Sequence, residues 1–452
     1  MGRITLQQAA QWCGGQIDPK YKDVTFLGAN NDTRKIKTGE LFVALQGVRD
    51  GHDFIPVALE KGAAAVLCTH CDGDYPAIVV PDTRIALGDI ARNERQRLNM
   101  KVVCVTGSVG KSTTKEMTAA VLASTYRVAK SPANHNNDIG MPMSVLAIPE
   151  DTQVAVLELG MNHFREIAYL SNIAKPDVAV IVNIGRMHIE NLGSMEGILK
   201  AKLEILEGLK EDGNIILNGD DALLWGQRDT LKDAVYFAEK NEQCAVRCNT
   251  VRHEICQIAM GVSAFGEEFD VEIPLEGAHY VPDALAAVSV GLALEVKPEN
   301  IRKAFAAFEN MEGRQEIFEA AGYTVIKDCY NAGPESMAAA LSVLHNRPGR
   351  HVAVLGDMLE LGVCAQAEHY KVGRLAAEKA DILLAYGPHS SRILSGAVTG
   401  GMDSGVAKAF EDGDKLVSVL KQMVKPGDVI LFKGSRGMRM ELLLEKFLAA
   451  DN

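Results

Sequence analysis

The chain has 452 residues, 47% of them apolar and 23% charged, with a formal net charge of −12 at pH 7. That length exceeds what one hydrophobic core organises, so two to four domains are expected. The acidic balance argues against nucleic acid as the main partner. No apolar run is long enough for a membrane span and residues 1–16 do not read as a secretory leader, so a soluble cytoplasmic protein is expected.

Up to about residue 99, short apolar runs at 41–45, 64–68 and 77–80 predict strands, and 53–61 carries a helical pattern. From residue 101 strand and helix patterns alternate: 102–105, 115–124, 154–159, 178–183, 195–209 and 214–217, with further helical stretches at 282–295 and 298–309. Runs of β-branched residues separated by helices predict a mostly parallel sheet covered on both faces. After about residue 313 the alternation resumes at 324–327, 335–345, 352–355, 366–379, 382–385, 414–424, 429–432 and 438–447, which predicts a second α/β unit. Two such units in series predict a cleft between them, where ligands bind and closure excludes water.

The most informative stretch is Thr106-Gly-Ser-Val-Gly-Lys-Ser-Thr-Thr-Lys115, between an apolar strand run and a helical pattern. Gly107 and Gly110 let backbone N–H groups turn inward, and the helix start adds its positive dipole end. Lys111 can then reach the β/γ-phosphates and the Ser112 hydroxyl can bind Mg²⁺. Val105 stands where the longer form of this loop has its first glycine, so the motif is the shorter G-x-x-G-K-S variant.

Other polar residues sit where a parallel sheet presents ligands. Glu158 ends the buried run Val154-Ala-Val-Leu-Glu158, where a carboxylate requires a partner and could hold a metal. His188 follows the next strand and could touch metal or phosphate, or serve as a structural hydrogen-bonder. Lys202 lies on a helical pattern, and its local sequence favours a solvent-facing lysine. Asn134, Asn136 and Asn137, in Pro132-Ala-Asn-His-Asn-Asn-Asp138, could form turns or contact a polar substrate. The segments Lys327-Asp-Cys-Tyr-Asn331, Gly356-Asp-Met-Leu-Glu360 and Lys433-Gly-Ser-Arg436 place three polar turns at strand ends of the last unit. The nine cysteines form no disulfide framework. The Cys68/Cys71 pair and the Cys244, Cys248, His253, Cys256 cluster are read as ordinary thiols rather than metal sites.

Together these motifs resemble the Mur ligase family, ATP-dependent amide-forming enzymes of peptidoglycan synthesis, over nearly the whole length. Asn31-Asp-Thr-Arg-Lys35 resembles its amino-terminal UDP-recognition segment, Glu158-Leu-Gly-Met-Asn162 belongs to its central ATPase pattern, and 328–337 and 355–362 resemble the D-alanyl-D-alanine-adding member. The resemblance implies three α/β domains: a small one at 1–99 that recognises the UDP substrate, a central P-loop ATPase domain at 100–313 with a mostly parallel sheet, and a Rossmann-like one at 314–452 that binds nucleotide and D-Ala-D-Ala. It implies a cytoplasmic, monomeric ligase using ATP and Mg²⁺ to join D-Ala-D-Ala to UDP-N-acetylmuramoyl-tripeptide through an acyl phosphate, with no nucleic-acid partner and no membrane span. Thr106, Gly107, Ser108, Gly110, Lys111, Ser112, Thr113 and the ribose-binding Asp328 would hold the nucleotide. Ser112, Glu158 and His188 would hold the metal, Lys202 would carry a carbamate, and Arg314 would face the γ-phosphate. Asn31, Asp32, Thr33, Arg34, Asn134, Asn136, Asn137 and Asn331 would contact substrates. One segment departs: Gly277-Ala-His-Tyr-Val-Pro-Asp283 has Tyr280 and Asp283 where the family pattern G-x-H-N-x-x-N has asparagines. An Asp accepts from the adenine amino group but cannot donate to a ring nitrogen. Another amide ligase of this architecture, using glutamate or a diamino acid, and a nucleotide-dependent switch remain as rival readings.

Overall fold

Three sheets and a two-strand ribbon divide the chain in the computed structural model, which describes residues 4–132 and 135–449. The ribbon pairs β1 (Ile4–Thr5) antiparallel with β2 (Thr25–Phe26). Next, β3 (Ala29–Asn30), β4 (Leu41–Val43), β5 (Ala65–Cys68) and β6 (Ala77–Val79) form a parallel sheet in chain order. The period-2 alternation sorts its side chains: Leu41, Val43, Leu67 and Ile78 enter a core shared with the next sheet, while Phe42, Val66 and Cys68 pack with Ile55 and Ala58. The helix Thr83–Arg97 seals that join. Asp82 caps it by accepting from the N–H groups of Arg84 (2.8 Å) and Ile85 (3.1 Å), and Ala86, Leu87, Ile90 and Ala91 are buried in the shared core.

The central sheet contains β7 (Lys101–Thr106), β8 (Val128–Lys130), β9 (Val154–Glu158), β10 (Val178–Ile181), β11 (Asn214–Asn218), β12 (Val235–Ala238), β13 (Val246–Glu254), β14 (Gln257–Ala264) and β15 (Glu267–Ile273). Their order is β15-β14-β13-β12-β11-β10-β7-β9-β8, parallel except for the β13–β14 and β14–β15 pairs. Valine-rich β7, β9 and β10 are buried on both faces; helices Lys111–Ala123 and Tyr280–Ala293 cover one. From β7 the chain runs to β8 and β9 on one side and then to β10 on the other. The carboxyl end of β7 is thus a topological switch point, where a crevice opens. Cys248 and His253 lie on β13 and Cys256 in the turn that follows, and every cysteine among the described residues is free.

The third sheet holds β16 (Glu316–Ala320), β17 (Tyr323–Asp328), β18 (His351–Gly356), β19 (Ile382–Tyr386), β20 (Ala407–Phe410) and β21 (Val429–Lys433), in the order β16-β17-β21-β18-β19-β20. Only the β16–β17 pair is antiparallel. It has its own core on each face. Charged groups cross from it to the central unit: Arg186 pairs with Glu368, and Arg347 with Glu276 at 2.6 Å. Among the described residues no helix is long and apolar enough to cross a membrane.

Candidate active site

The loop after β7 is held from below before any ligand is considered. Asn183, just past β10, accepts from the N–H groups of Ser108 and Val109, each at 3.0 Å, and donates its own amide to the Val109 carbonyl at 2.9 Å. Ser108 Oγ donates to the Gly185 carbonyl and accepts from its N–H. Gly110 takes φ +81° at the start of helix Lys111–Ala123, and no side chain caps that helix, so its first N–H groups stay available to an anion. The Lys111 ammonium rests on the Gly107 and Ser108 carbonyls at 2.8 and 3.1 Å. Burial holds its pKa below the usual lysine value, with Glu158 opposing.

Glu158, the last residue of β9, is buried and finds the partners its position requires. Its Oε2 accepts from the Ser112 hydroxyl at 2.7 Å and its Oε1 from the Asn136 amide at 2.8 Å. Arg314, where the chain enters the third unit, donates Nη2 to Ser112 Oγ at 2.9 Å and stacks over Tyr330 with 4.3 Å to the ring centroid. A serine hydroxyl and a carboxylate are the hard oxygen donors a magnesium ion takes from protein, the rest being phosphate and water. His188 lines the same cavity but pairs through Nδ1 with Glu360 Oε2 at 3.2 Å. Among the described residues no three His, Cys, Asp or Glu side chains converge as a metal cluster.

Lys202, on helix Met195–Leu203, is buried, contrary to the solvent-facing position that its local sequence favours. Its helix forms part of the cavity wall, and Ile198 and Ala201 are buried with it. Burial, followed by repulsion from the Lys111 ammonium, pushes its pKa well down, so the amine loses its proton far more readily than an exposed lysine.

Asp328, at the end of β17, accepts from the buried ammonium of Lys433 at 2.5 Å, and that ammonium also donates to the Asn331 carbonyl at 3.2 Å. Asp283 Oδ1 accepts from the Thr114 hydroxyl at 2.9 Å and lies against Gly110, where an added Cβ would sit 2.4 Å from it. Burial raises the Asp283 carboxyl to about 7. Burial also lowers the neighbouring His279 to about 4. Asp283, His279, Asp328, Asn331 and Lys433 face one cavity of about 1030 Å³ together with Lys111, Ser112, Glu158, Lys202 and Arg314, and that volume is at the upper end of the range for small-molecule sites.

Three stretches match known domains: residues 105–291 the Mur ligase middle domain, 313–436 the Mur ligase glutamate ligase domain, and 24–95 the Mur ligase family catalytic domain. The chain is 38% identical over 460 residues to UDP-N-acetylmuramoyl-tripeptide–D-alanyl-D-alanine ligase of Bacillus subtilis (strain 168), covering 99% of each. The chain belongs to the Mur ligase family. Its fold superposes on a crystal structure of MurF from Acinetobacter baumannii with a TM-score of 0.91, at 32% identity and 99% coverage of both chains. It superposes on MurF of Thermotoga maritima in complex with ADP with a TM-score of 0.81, at 29% identity, covering 93% of this chain and 96% of that one.

Within this Mur ligase the cavity gathers Ser108, Gly110, Lys111, Ser112, Thr113, Asn136, Asn137, Glu158, His188, Lys202, Arg314, Asp328 and Asn331. Thr106 and Gly107 fall outside its lining, and the Thr106 hydroxyl is bound to the Leu159 carbonyl at 2.9 Å. Asn136 serves Glu158, and Asn137 Oδ1 accepts from the N–H of Gly140, the first residue of helix Gly140–Leu146, at 2.8 Å. Asn134 lies outside the described residues. Asn31, Asp32, Thr33 and Arg34 are not among the residues lining the cavity; they follow β3, where Asp32 pairs with Arg34 at 2.8 Å. Asn183, whose amide holds the loop after β7, had no motif of its own to mark it.

Proposed function

We propose that this chain is an ATP-dependent ligase that joins D-alanyl-D-alanine to UDP-N-acetylmuramoyl-tripeptide in peptidoglycan precursor synthesis. The observation that carries the reading is a phosphate loop whose Ser112 is bonded at once to Glu158 of the central sheet and to Arg314 at the entry to the third unit. A carboxylate cannot be joined to an amine until its oxygen becomes a leaving group. The terminal carboxylate of the tripeptide attacks the ATP γ-phosphorus, releasing ADP and leaving an acyl phosphate. The amine then adds to that carbonyl, and the tetrahedral intermediate expels phosphate as a proton departs.

Two anions meet in the first step, so positive charge must be fixed in place beforehand. Lys111 and Arg314 supply it, with the N–H groups of the loop. Magnesium, held by Ser112 and Glu158 with His188 nearby, would supply Lewis-acid charge neutralisation. Lys202, with its proton easily lost, is suited to take up carbon dioxide as a carbamate, becoming an anion that orients the metal. The other assignments belong to the same reading: residues 1–99 receive the UDP moiety through Asn31, Asp32, Thr33 and Arg34, Asp328 holds the ribose, Asn331 contacts substrate, and the protein acts as a cytoplasmic monomer. Lys111→Ala is expected to abolish D-Ala-D-Ala-dependent ADP release while circular dichroism stays that of the wild type. Unaltered turnover in that variant, or product formation with glutamate or a diamino acid in place of D-Ala-D-Ala, refutes the reading.

A further inference from the structure

Glu360 of the third unit meets His188, and neither the phosphate loop nor the proposed magnesium ligands Ser112 and Glu158 account for it. It ends a loop fixed at three successive points. The buried Asp357 carboxylate accepts from the His389 N–H at 3.0 Å, the Met358 N–H donates to His369 Nε2 at 2.9 Å, and the Leu359 N–H donates to Ser435 Oγ at 2.9 Å. Beyond these anchors Glu360 takes φ +64°, an unfavourable backbone for a residue with a Cβ, and its side chain is 62% exposed. The turn carries the chain from these anchors to Leu361, which is buried in the third unit's core, and it leaves the Glu360 carboxylate directed toward His188 and within the field of Lys111. The loop is seated there, because Gly362 (φ +49°) lies so close to Glu190 of the central unit that a Cβ would come within 2.8 Å of it.

Glu360 adds a further carboxylate to a cavity that already holds Glu158 and must accept anionic reactants. ATP, the tripeptide carboxylate and the acyl phosphate are all anions, and each would be repelled by Glu360. The remaining reactant, the dipeptide, brings a cationic group to the site, since an α-amino group with a pKa of roughly 8 is mostly protonated at neutral pH. Glu360 also belongs to the unit, residues 314–452, for which the family resemblance implies binding of that reactant. Resting on that reading, we propose that Glu360 is the docking residue for the ammonium group of the incoming dipeptide, exchanging its contact with His188 for one with the substrate's nitrogen and holding that nitrogen beside the activated carbonyl.

The test compares full-length wild type, Glu360→Gln and Glu360→Asp by steady-state kinetics in ATP, D-Ala-D-Ala and Mg²⁺, with melting curves as a check on folding. Loss of a charged hydrogen bond predicts a KM for D-Ala-D-Ala raised roughly ten- to a hundredfold in Glu360→Gln and less in Glu360→Asp, which keeps the charge on a shorter arm. The KM for ATP and the Mg²⁺ concentration for half activity are expected to remain within about twofold of wild type. An unchanged dipeptide KM overturns the assignment, as does an equal rise in all three constants, which would mark a structural role. A selective rise in the Mg²⁺ requirement overturns it too, by making Glu360 a metal ligand. Wild-type enzyme that hydrolyses or transfers ATP without responding to D-Ala-D-Ala would overturn the function and this assignment with it.

Discussion

Replacing Asp283 with Asn isolates one proton. The amide keeps the shape and keeps an oxygen for the Thr114 hydroxyl, which donates to Asp283 at 2.9 Å, but it cannot ionise. Burial raises the Asp283 carboxyl from 3.8 to about 7. Between those values the folded chain holds more proton than the unfolded one, so the protonated carboxyl favours folding at low pH and that advantage is lost as pH rises to about 7. The full span is about 4 kcal/mol, of which about 3 kcal/mol falls between pH 5 and 8. An unmatched amide N–H in the variant costs about 1 kcal/mol at either pH. Asp283→Asn is therefore expected near par with wild type at pH 5 and about 3 kcal/mol more stable at pH 8. For a unit of this size that is a Tm gain of roughly 6–12 °C at pH 8 only. Scanning calorimetry of both proteins at the two pH values, following the transition of the central sheet, measures it. An equal shift at both pH values, or a lower Tm at pH 8, would show that the native carboxyl is ionised and held by Arg314, against the argument from burial.

Two further substitutions test the site itself. Gly110→Ala places a Cβ 2.4 Å from Asp283 Oδ1 at a φ of +81°, so backbone strain of about 1–2 kcal/mol adds to displacement of the loop. The KM for ATP is expected to rise at least tenfold, and a wild-type value would contradict the need for glycine there. Lys202→Ala should lower ligase activity by about a hundredfold or more, with partial recovery on adding short carboxylic acids that restore a negative charge in the cavity it leaves. A fully active Lys202→Ala enzyme is incompatible with a functional carbamate.

What could be read from the sequence was what local pattern determines. The run 102–105, the glycines after it and Glu158 at a strand end declare themselves, because a parallel strand buried on both faces and a turn followed by a helix are short-range signals. The helix Thr83–Arg97 did not, since its buried face includes Glu94 and Arg95, and Arg95 is satisfied by the carbonyl of Ala174, 79 residues away, at 2.7 Å. Lys202 misleads for the same reason: its burial is decided by the cavity that its helix borders, not by its neighbours in the chain. Asn183 and Glu360 acquire their roles only when β7 meets β10 and when the third sheet meets the second. The Tyr280 and Asp283 departures were visible, but their resolution was not: Tyr280 meets the Asn310 amide at 3.2 Å, while Asp283 turns to Thr114.

The bond between Ser112 and Arg314 joins two bodies that are each held together by apolar packing of their own. Competence and rigidity are consequently governed by separate sets of atoms. A small swivel at the crossing near residue 313 would dismantle the constellation while leaving both bodies as well folded as before, so loss of turnover in this enzyme need not be a sign of melting.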